Sequence, residues 1–139
     1  MKIKVKLDPG IKTPTRAHNT DAGLDLYSPV YCYFDKGRSV CIDTGVHIEI
    51  PEGYVGFLKS KSSLNVNYGI TSEGVIDSGY TGSIVVKLYN HGEQCAEIQK
   101  GQKISQLVLL PIITPEIELV SELKDTERGK GGFGSSGDF

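Results

Sequence analysis

The stretch Ser83-Ile84-Val85-Val86-Lys87-Leu88-Tyr89 decides the fold class of this chain. Its β-branched and aromatic residues favour strands over helices. A second run with the same character extends from Ile104 to Ile113. Both runs are almost continuously apolar, which is typical of strands that are buried on both faces. We therefore expect two such strands and an all-β fold.

Shorter segments alternate apolar and polar residues. Lys2–Leu7 and Val46–Ile50 follow a period of two, which predicts strands with one buried face. Turn sequences separate the strands about every ten to fifteen residues, at Pro9-Gly10, Lys36-Gly37, Pro51-Glu52-Gly53, Asn90-His91-Gly92 and Lys100-Gly101. This pattern favours a sandwich or barrel. The best candidate for a helix is Ser62–Tyr68, where Ser62 or Ser63 could cap the first turn.

A length of 139 residues predicts one domain, 1–139. From Ser121 onward apolar residues nearly stop, and glycine fills five of the nine positions from Gly129 to Gly137. Such a segment cannot bury enough apolar surface to order itself. We therefore divide the chain into a core, 1–120, and a flexible Gly-rich C-terminal arm, 121–139, which orders when something binds.

Charge and hydropathy argue against several functional classes. The formal net charge of -2 leaves no basic excess to hold a nucleic-acid backbone. No apolar run approaches the roughly 18 residues of a membrane span. The opening Met1–Lys6 alternates lysine with apolar residues, unlike a signal peptide. We expect neither a nucleic acid nor a membrane as partner, and a cytoplasmic or nuclear protein, or one of the host cytoplasm if the source is viral.

The cysteines and histidines do not indicate a metal site or a nucleophile. Cys32, Cys41 and Cys95 are an odd number and form no CxxC pair, so we expect reduced thiols. His47 lies in an alternating segment and is predicted to be on the solvent side of its strand.

Positive charge gathers at two places that suit a polyanion. Lys59-Ser60-Lys61-Ser62-Ser63 combines ammonium and hydroxyl groups at the start of the predicted helix, where free backbone N–H groups favour phosphate. Arg128-Gly129-Lys130 precedes Gly-rich backbone that can approach phosphate oxygens closely, and Ser135 and Ser136 add hydroxyl groups. A solvated loop and a disordered linker remain the alternative at this point.

Phe133, Asp77 and Asp25 could also serve a nucleotide. Phe133 stands alone in the Gly-rich run, where it suits stacking on a base, although it could also attach the arm to an apolar groove. Gly74–Gly82 predicts a turn between strands that carries Asp77 and Tyr80. Asp77 could accept a proton from water, although turn chemistry alone also explains it. Asp25 could assist a hydrated Mg²⁺.

Together and in this order, five segments resemble the five motifs of the trimeric dUTP diphosphatases (dUTPases). These segments are Ala22–Ser28, Lys61–Leu64, Gly74–Gly82, Gly101–Leu107 and Arg128–Gly137. The third and fifth are the most specific. The resemblance implies a distorted jelly-roll fold and a homotrimer with active sites shared between subunits, in which the arm of one chain closes over a site built by two others.

The resemblance also implies a reaction. With Mg²⁺, dUTP would be hydrolysed to dUMP and pyrophosphate, which keeps uracil out of DNA and supplies dUMP for thymidylate synthesis. Asp77 would deprotonate a water that attacks the α phosphorus in line, and Tyr80 would pack under the deoxyribose. Asp25 would touch Mg²⁺ only through water.

The remaining roles implied by the resemblance concern the base and the phosphates. The uracil would meet the backbone of Gly74, Val75 and Ile76, a main-chain contact near Val85, and the ring of Phe133. The phosphate-binding residues would be Lys61, Ser62, Ser63, Gln106, Arg128, Gly134, Ser135 and Ser136. Two positions depart from the family pattern: Lys61 stands where relatives usually carry Arg, and Thr71 where many carry Asn. We expect a less directional phosphate contact and base pairing through backbone alone.

Two other classes use the same fold. A dCTP deaminase needs a glutamate near the pyrimidine, and Glu73 is the only acid besides Asp77 in the predicted hairpin, at a spacing that does not match. A protein-binding regulator would use the nucleotide only as a switch for the arm. The presence of Asp77, Gln106 and Phe133 argues against lost catalysis.

Overall fold

A computed structural model describes residues 2–137. Met1 and the last two residues of the predicted arm, Asp138 and Phe139, lie outside the described residues. The elements are β1 (Lys4–Leu7), β2 (Gly23–Tyr27), β3 (Cys32–Phe34), β4 (Ser39–Asp43), β5 (Val46–Glu49), β6 (Tyr54–Ser60), α1 (Ser62–Tyr68), β7 (Ile70–Ile76), β8 (Val85–Asn90), β9 (Ala96–Ile98) and β10 (Lys103–Pro111). The prediction of an all-β fold with one short helix is confirmed.

The main sheet has six strands in the order β2-β10-β6-β7-β8-β4, and every neighbouring pair is antiparallel. Two small sheets pair β1 with β5 and β3 with β9. One hydrophobic core joins all three sheets, because side chains from each of them are fully buried together. Examples are Leu26, Ile48, Leu88, Ile98 and Leu107.

Two strands are buried less than the sequence predicts. In β8, Val86, Leu88 and Asn90 are buried while the residues between them are exposed, so only one face is covered and the expectation of two buried faces is wrong. Within the described residues, nothing covers the face of the sheet that carries Val85, Lys87 and Tyr89. Strand β1 pairs with β5 in a two-stranded sheet, and its Val5 is exposed.

The predicted helix spans Ser62–Tyr68 as expected. Its N-cap is Lys61, with no capping hydrogen bond from a side chain, so the prediction of a serine cap is wrong. Both serines are instead the first helical residues. The helix ends at Gly69, whose φ of 68° lies in the left-handed region that glycine adopts without strain.

Strand structure ends at Pro111, two residues before the predicted end of the last strand. No helix or strand follows between residue 112 and residue 137. Apolar side chains continue beyond the strand and are almost fully exposed, with Ile113 at 89%, Ile117 at 90% and Leu119 at 93%. The division into core and arm at Ser121 stays a prediction.

Two further findings concern the whole described chain. All three cysteines are free, as predicted. No helix within residues 2–137 is long and apolar enough to cross a membrane.

Candidate active site

A row of polar side chains crosses the main sheet on one face. Asp25 of β2 lies opposite Gln106 of β10, which lies opposite Lys59 of β6, which in turn lies opposite Glu73 of β7. Residues opposite each other in an antiparallel ladder project to the same face. The register of four strands therefore brings together residues that are far apart in the sequence.

Asp25 is the buried end of this row. Its side chain is 6% exposed, and its two oxygens accept hydrogen bonds from Lys61 Nζ at 2.5 Å and Lys103 Nζ at 2.7 Å. Burial raises the pKa of Asp25, but the hydrogen bonds from Lys103 and Lys61 outweigh burial, so its pKa lies below the usual value. The same bond raises the pKa of Lys103. The carboxylate thus holds two ammonium groups side by side.

A β-bulge turns Lys103 towards Asp25. In β10, Ser105 pairs with Leu26 but Lys103 pairs with Tyr27, so Ile104 is an extra residue in the ladder. Without the bulge, Ile104 would take the place of Lys103 on the Asp25 face, because side chains alternate along a strand. The extra residue instead lets Ile104 remain fully buried.

Gln106 is held between neighbouring strands. Its amide Nε2 donates to the backbone oxygen of Ser60 at 3.0 Å. A Cβ on Gly23 would lie 2.3 Å from Gln106 Oε1, so only glycine leaves room for this side chain. The close approach of Gln106 thus explains why glycine occupies position 23 in β2, two residues before Asp25.

Hydroxyl groups join the same strands on the opposite face. The Oγ atoms of Ser72 and Ser105 are 2.7 Å apart, and Ser105 Oγ donates to the backbone oxygen of Lys59 at 3.1 Å. Ser60 Oγ donates to the backbone oxygen of Ser72 at 3.2 Å. These buried and partly buried bonds fix the end of β6, from which Lys61 reaches Asp25. Ser62 and Ser63 follow at the start of α1 and are exposed.

Strands β7 and β8 separate partway along their length. Their ladder covers only Ile70–Ser72 of β7. Beyond it, β7 stays paired with β6 up to Ile76, whereas Val85 and Val86 pair with β4. The facing edges of Gly74–Ile76 and Val85 therefore have no strand partner on that side within residues 2–137. Backbone N–H and C=O groups at such edges can bind a ligand.

The loop from Asp77 to Ser83 connects these separated strands. Asp77 is exposed, and its backbone oxygen accepts from Tyr80 N at 3.2 Å. Tyr80 Oη donates to the backbone oxygen of Ser83 at 2.9 Å. A Cβ on Gly82 would lie 2.4 Å from Tyr80 Oη, so Gly82 lets the Tyr80 ring fold back over the loop. The ring nevertheless remains 45% exposed and open to a ligand.

A cavity of about 550 Å³ lies beside the base of this hairpin, lined in part by Thr71, Tyr89 and His91. Thr71 Oγ1 is 3.1 Å from His91 Nε2, and the rings of Tyr89 and His91 are stacked. Glu73, the acid a deaminase would need, is exposed and lies 3.6 Å from Lys59. A larger cavity of about 680 Å³ lies at the C-terminal end of α1 and is lined by none of the predicted site residues.

The predicted arm residues form turns of their own. Arg128 Nε donates to the backbone oxygen of Gly131 at 3.0 Å, and Ser135 N donates to that of Gly132 at 3.2 Å. Phe133 is fully exposed. Within residues 2–137, the hydrogen bonds of this arm stay inside it. Arg128, Gly134, Ser135, Ser136 and Phe133 are thus not brought to the other predicted site residues.

Within one chain, the two halves of the predicted site, around Asp25 and around Asp77, lie apart. Asp77 lies four residues beyond Glu73, directly after the end of β7, which is about 13 Å at the rise of a strand. The row from Glu73 back to Asp25 crosses three strand spacings, or about 14 Å. The cluster around Asp25 and the loop around Asp77 are therefore separate within a single chain.

Comparison with known proteins decides the family. A family model described as dUTPase matches residues 10–137. The chain belongs to the dUTPase family. Two relatives, each named deoxyuridine 5'-triphosphate nucleotidohydrolase, are similar over almost their full length. The protein of Clostridium tetani is 42% identical, covering 99% of this chain and 96% of the relative. That of Gloeothece citriformis is 40% identical, with coverages of 99% and 97%.

Solved dUTPase structures share the fold. The dUTPase of Staphylococcus bacteriophage 80alpha with dUPNHPP has a TM-score of 0.91 and 33% identity, covering 98% of each chain. A point mutant of the dUTPase from phage phi11 of S. aureus, described as showing the coordination of a structural Mg(II) ion, has a TM-score of 0.81 and 30% identity, covering 88% of this chain and 98% of that one. The predicted dUTPase-like fold is confirmed, and the chain is a hydrolase of dUTP.

The sequence does not single out three residues that the structure connects to these regions. Lys103 reaches Asp25 only through the bulge at Ile104, and nothing in the strand pattern signals that bulge. His47 contacts both Asp8 and the Thr81 backbone beside Tyr80. His47 and Asp8 are far apart in the sequence, so their contact cannot be predicted from it. The signal that could have pointed to His47 was a histidine inside a regular alternation of apolar and polar residues.

Proposed function

We propose that this dUTPase hydrolyses dUTP to dUMP and pyrophosphate with Mg²⁺, by in-line attack of a water at the α phosphorus. The observation that carries the proposal is the separation of β7 and β8 directly before the loop that bears Asp77 and Tyr80. This hydrolysis would keep uracil out of DNA and supply dUMP for thymidylate synthesis.

The separated strands support recognition of the base. Uracil presents a row of N–H and C=O groups along one edge, which complements unpaired backbone groups of Gly74, Val75, Ile76 and Val85. Backbone groups cannot rotate away as side chains can, so a base with a different donor pattern leaves them unpaired. Thr71 carries no amide and bonds to His91, and we propose that the backbone suffices without it.

The loop supports the roles of Asp77 and Tyr80. An exposed carboxylate can orient a water and take its proton as the oxygen attacks phosphorus. The Tyr80 ring, held over Gly82 with one face open, would pack under the deoxyribose and leave no room for a 2'-hydroxyl. Water attack and sugar selection would then depend on one short loop.

The cluster around Asp25 supports phosphate binding by Lys61, Ser62, Ser63 and Gln106. Lys61 is bound to Asp25, so a triphosphate would compete with that carboxylate for the ammonium group. Lys103 would keep Asp25 partly neutralised during the exchange. Two exposed hydroxyl groups next to Lys61 can donate to phosphate oxygens without any rearrangement of α1.

The donor set fits a magnesium ion that arrives with the substrate. Within residues 2–137, no three or more His, Cys, Asp or Glu side chains form a group that could hold a metal ion. Asp25 is a single carboxylate whose oxygens already accept hydrogen bonds, which suits contact through water. When bound, Mg²⁺ would neutralise charge on the phosphates. Lys61 and Gln106 would meanwhile orient the phosphate chain.

The distance between the two halves supports a homotrimer with shared sites. A triphosphate cannot lie on the Asp25 cluster and place its α phosphorus at Asp77 of the same chain, since the two are separated by several strand spacings. The exposed apolar residues Ile113, Ile117 and Leu119 support the same assembly, because such a row favours burial against another chain.

The arm would complete each site. Arg128, Ser135 and Ser136, with the backbone of Gly134, would bind the terminal phosphate, and Phe133 would stack on uracil. Phe133 has a φ of 50° and is fully exposed among residues 2–137, so its ring is available. Ordering the arm costs conformational entropy, so closure would require base and triphosphate together.

The test is pyrophosphate release from dUTP, dCTP, dTTP and UTP, each with Mg²⁺ and with excess chelator. We expect release from dUTP with Mg²⁺ and at least about a hundredfold less from the other three. Comparable hydrolysis of dCTP would overturn base recognition by the backbone. Undiminished turnover in chelator would overturn the magnesium requirement.

A further inference from the structure

The loop that carries Asp77 and Tyr80 is held from outside at two points. Ser83 Oγ donates to Asp43 Oδ1 at the end of β4, and the Thr81 backbone oxygen lies 2.9 Å from Nδ1 of His47 in β5. Thr81 directly follows Tyr80, so the second point fixes the part of the loop next to the tyrosine ring. This contact comes from a side chain that the sequence predicts to face solvent.

His47 is itself fixed by a carboxylate. Its Nε2 lies 3.1 Å from Asp8 Oδ1, at the end of β1, and its side chain is only 20% exposed. Asp8 N donates to the backbone oxygen of Gly45 at 2.9 Å, which anchors the carboxylate. The imidazole therefore bridges an anchored acid and the catalytic loop.

The two partners of the imidazole are both acceptors. Carbonyl and carboxylate oxygens cannot donate, so both contacts are hydrogen bonds when both ring nitrogens carry hydrogen. Other charged groups face the same place: Asp43 approaches from β4, and Lys6 lies opposite His47 on β1. The imidazole thus has Asp8, Asp43 and Lys6 as its charged neighbours among the described residues.

We propose that His47, held by Asp8, is a positioning residue that sets the place of Tyr80 and Asp77 through the Thr81 carbonyl. The inference rests on the proposed function, since it takes Asp77 and Tyr80 as the residues that meet water and deoxyribose. The β7–β8 ladder ends at Ser72 and gives the loop no strand pairing of its own. The loop therefore depends on contacts such as this one to keep its geometry.

Substitutions of His47 can break one bond at a time. The amide nitrogen of asparagine falls near imidazole Nδ1, so His47→Asn keeps a donor for the Thr81 oxygen and loses the Asp8 bond. The amide nitrogen of glutamine falls near Nε2, so His47→Gln keeps the Asp8 bond and loses the loop contact. His47→Leu loses both. Glu49→Gln is the control, because Glu49 pairs with Lys4 across the same two strands.

Loop order is measured first, by hydrogen exchange of the amides of residues 78–83, which needs no activity. We expect His47→Gln and His47→Leu to exchange about tenfold faster there than the parent chain, and His47→Asn and Glu49→Gln to match it. Equal protection in all variants would overturn the proposal, whatever the chain does with dUTP.

Kinetics with dUTP and Mg²⁺ then separate positioning from general stability. We expect kcat/KM to fall about tenfold in His47→Gln and His47→Leu, with a lower kcat as well as a higher KM, and to stay within about twofold in His47→Asn. Parental kinetics in all variants, after the loop has loosened, would overturn the positioning role. An inactive parent chain would instead contradict the proposed function and leave the exchange result standing.

Discussion

Asp77 is the residue on which the proposed chemistry most depends. Replacing it by asparagine keeps the size of the side chain but removes the proton acceptor. We expect dUTP turnover to fall about a thousandfold in Asp77→Asn, while binding of the unhydrolysed analogue dUpNHpp changes less than about threefold. Glu52→Gln, a matched change in an exposed turn, should retain parental turnover. Turnover within about tenfold of the parent would remove Asp77 from the mechanism.

Asp25 makes stability depend on pH in a defined direction. Its pKa in the folded chain is lowered below the usual 3.8, since the bonds from Lys103 and Lys61 outweigh burial. The unfolded chain therefore takes up the proton first as pH falls. The stabilisation is complete above the ordinary pKa of aspartate and is lost as pH falls through the lower pKa of the folded state.

The corresponding variant is Asp25→Asn. We expect its free energy of unfolding at pH 7 to be lower by about 2 kcal/mol, because two ammonium groups lose a buried partner. The difference from the parent should shrink below about pH 4. Urea unfolding across a pH series measures it, with Glu49→Gln, an exposed ion pair with Lys4, as the control. If the free energy of unfolding depended on pH in the same way in the parent and in Asp25→Asn, the lowered pKa of Asp25 would be contradicted.

At the scale of elements, deletion of the arm tests whether its closure over the site can be lost without a loss of folding stability. Deleting residues 128–139 should lower dUTP turnover about tenfold or more and change Tm by less than about 2 °C, because the removed residues that the structure describes are nearly all exposed. Turnover assays and calorimetry measure the two effects. Glu122→Ala, an exposed substitution that removes no residue of the arm, should match the parent in both. A large fall in Tm would mean that the arm is part of the folded core.

Elements whose signals are local in the sequence were predictable, and features that depend on strand pairing were not. The helix Ser62–Tyr68 was correctly expected, because its turn-forming surroundings are local in the sequence. The open face of β8 was not predicted, because an apolar strand has the same sequence pattern whether one or both of its faces are covered. Lys103 depends on a bulge at Ile104, which is a property of pairing with β2 and not of β10 alone.

At the scale of the whole molecule, the proposed sharing of sites predicts complementation between inactive chains. In that proposal, Asp77→Asn removes one half of the site and Gln106→Ala impairs the other. Mixed trimers assembled from equal amounts should recover about one quarter of parental turnover, because that fraction of sites combines two intact halves. The mixture is assayed after joint refolding, beside each variant refolded alone. A mixture no more active than its components would show that each site lies within one chain.

The sequence by itself determined the all-β class, the short helix and the family motifs. These follow from residue periodicity, turn preferences and local patterns, which act over a few neighbouring positions. The tertiary structure alone decided that Asp25 meets Lys61 and Lys103, that β7 leaves β8 beyond Ser72, and that His47 reaches the loop at Thr81. Each of these features depends on the pairing register between strands that are distant in the sequence. A shift of that register by one residue would turn the side chains of a strand to the other face of the sheet.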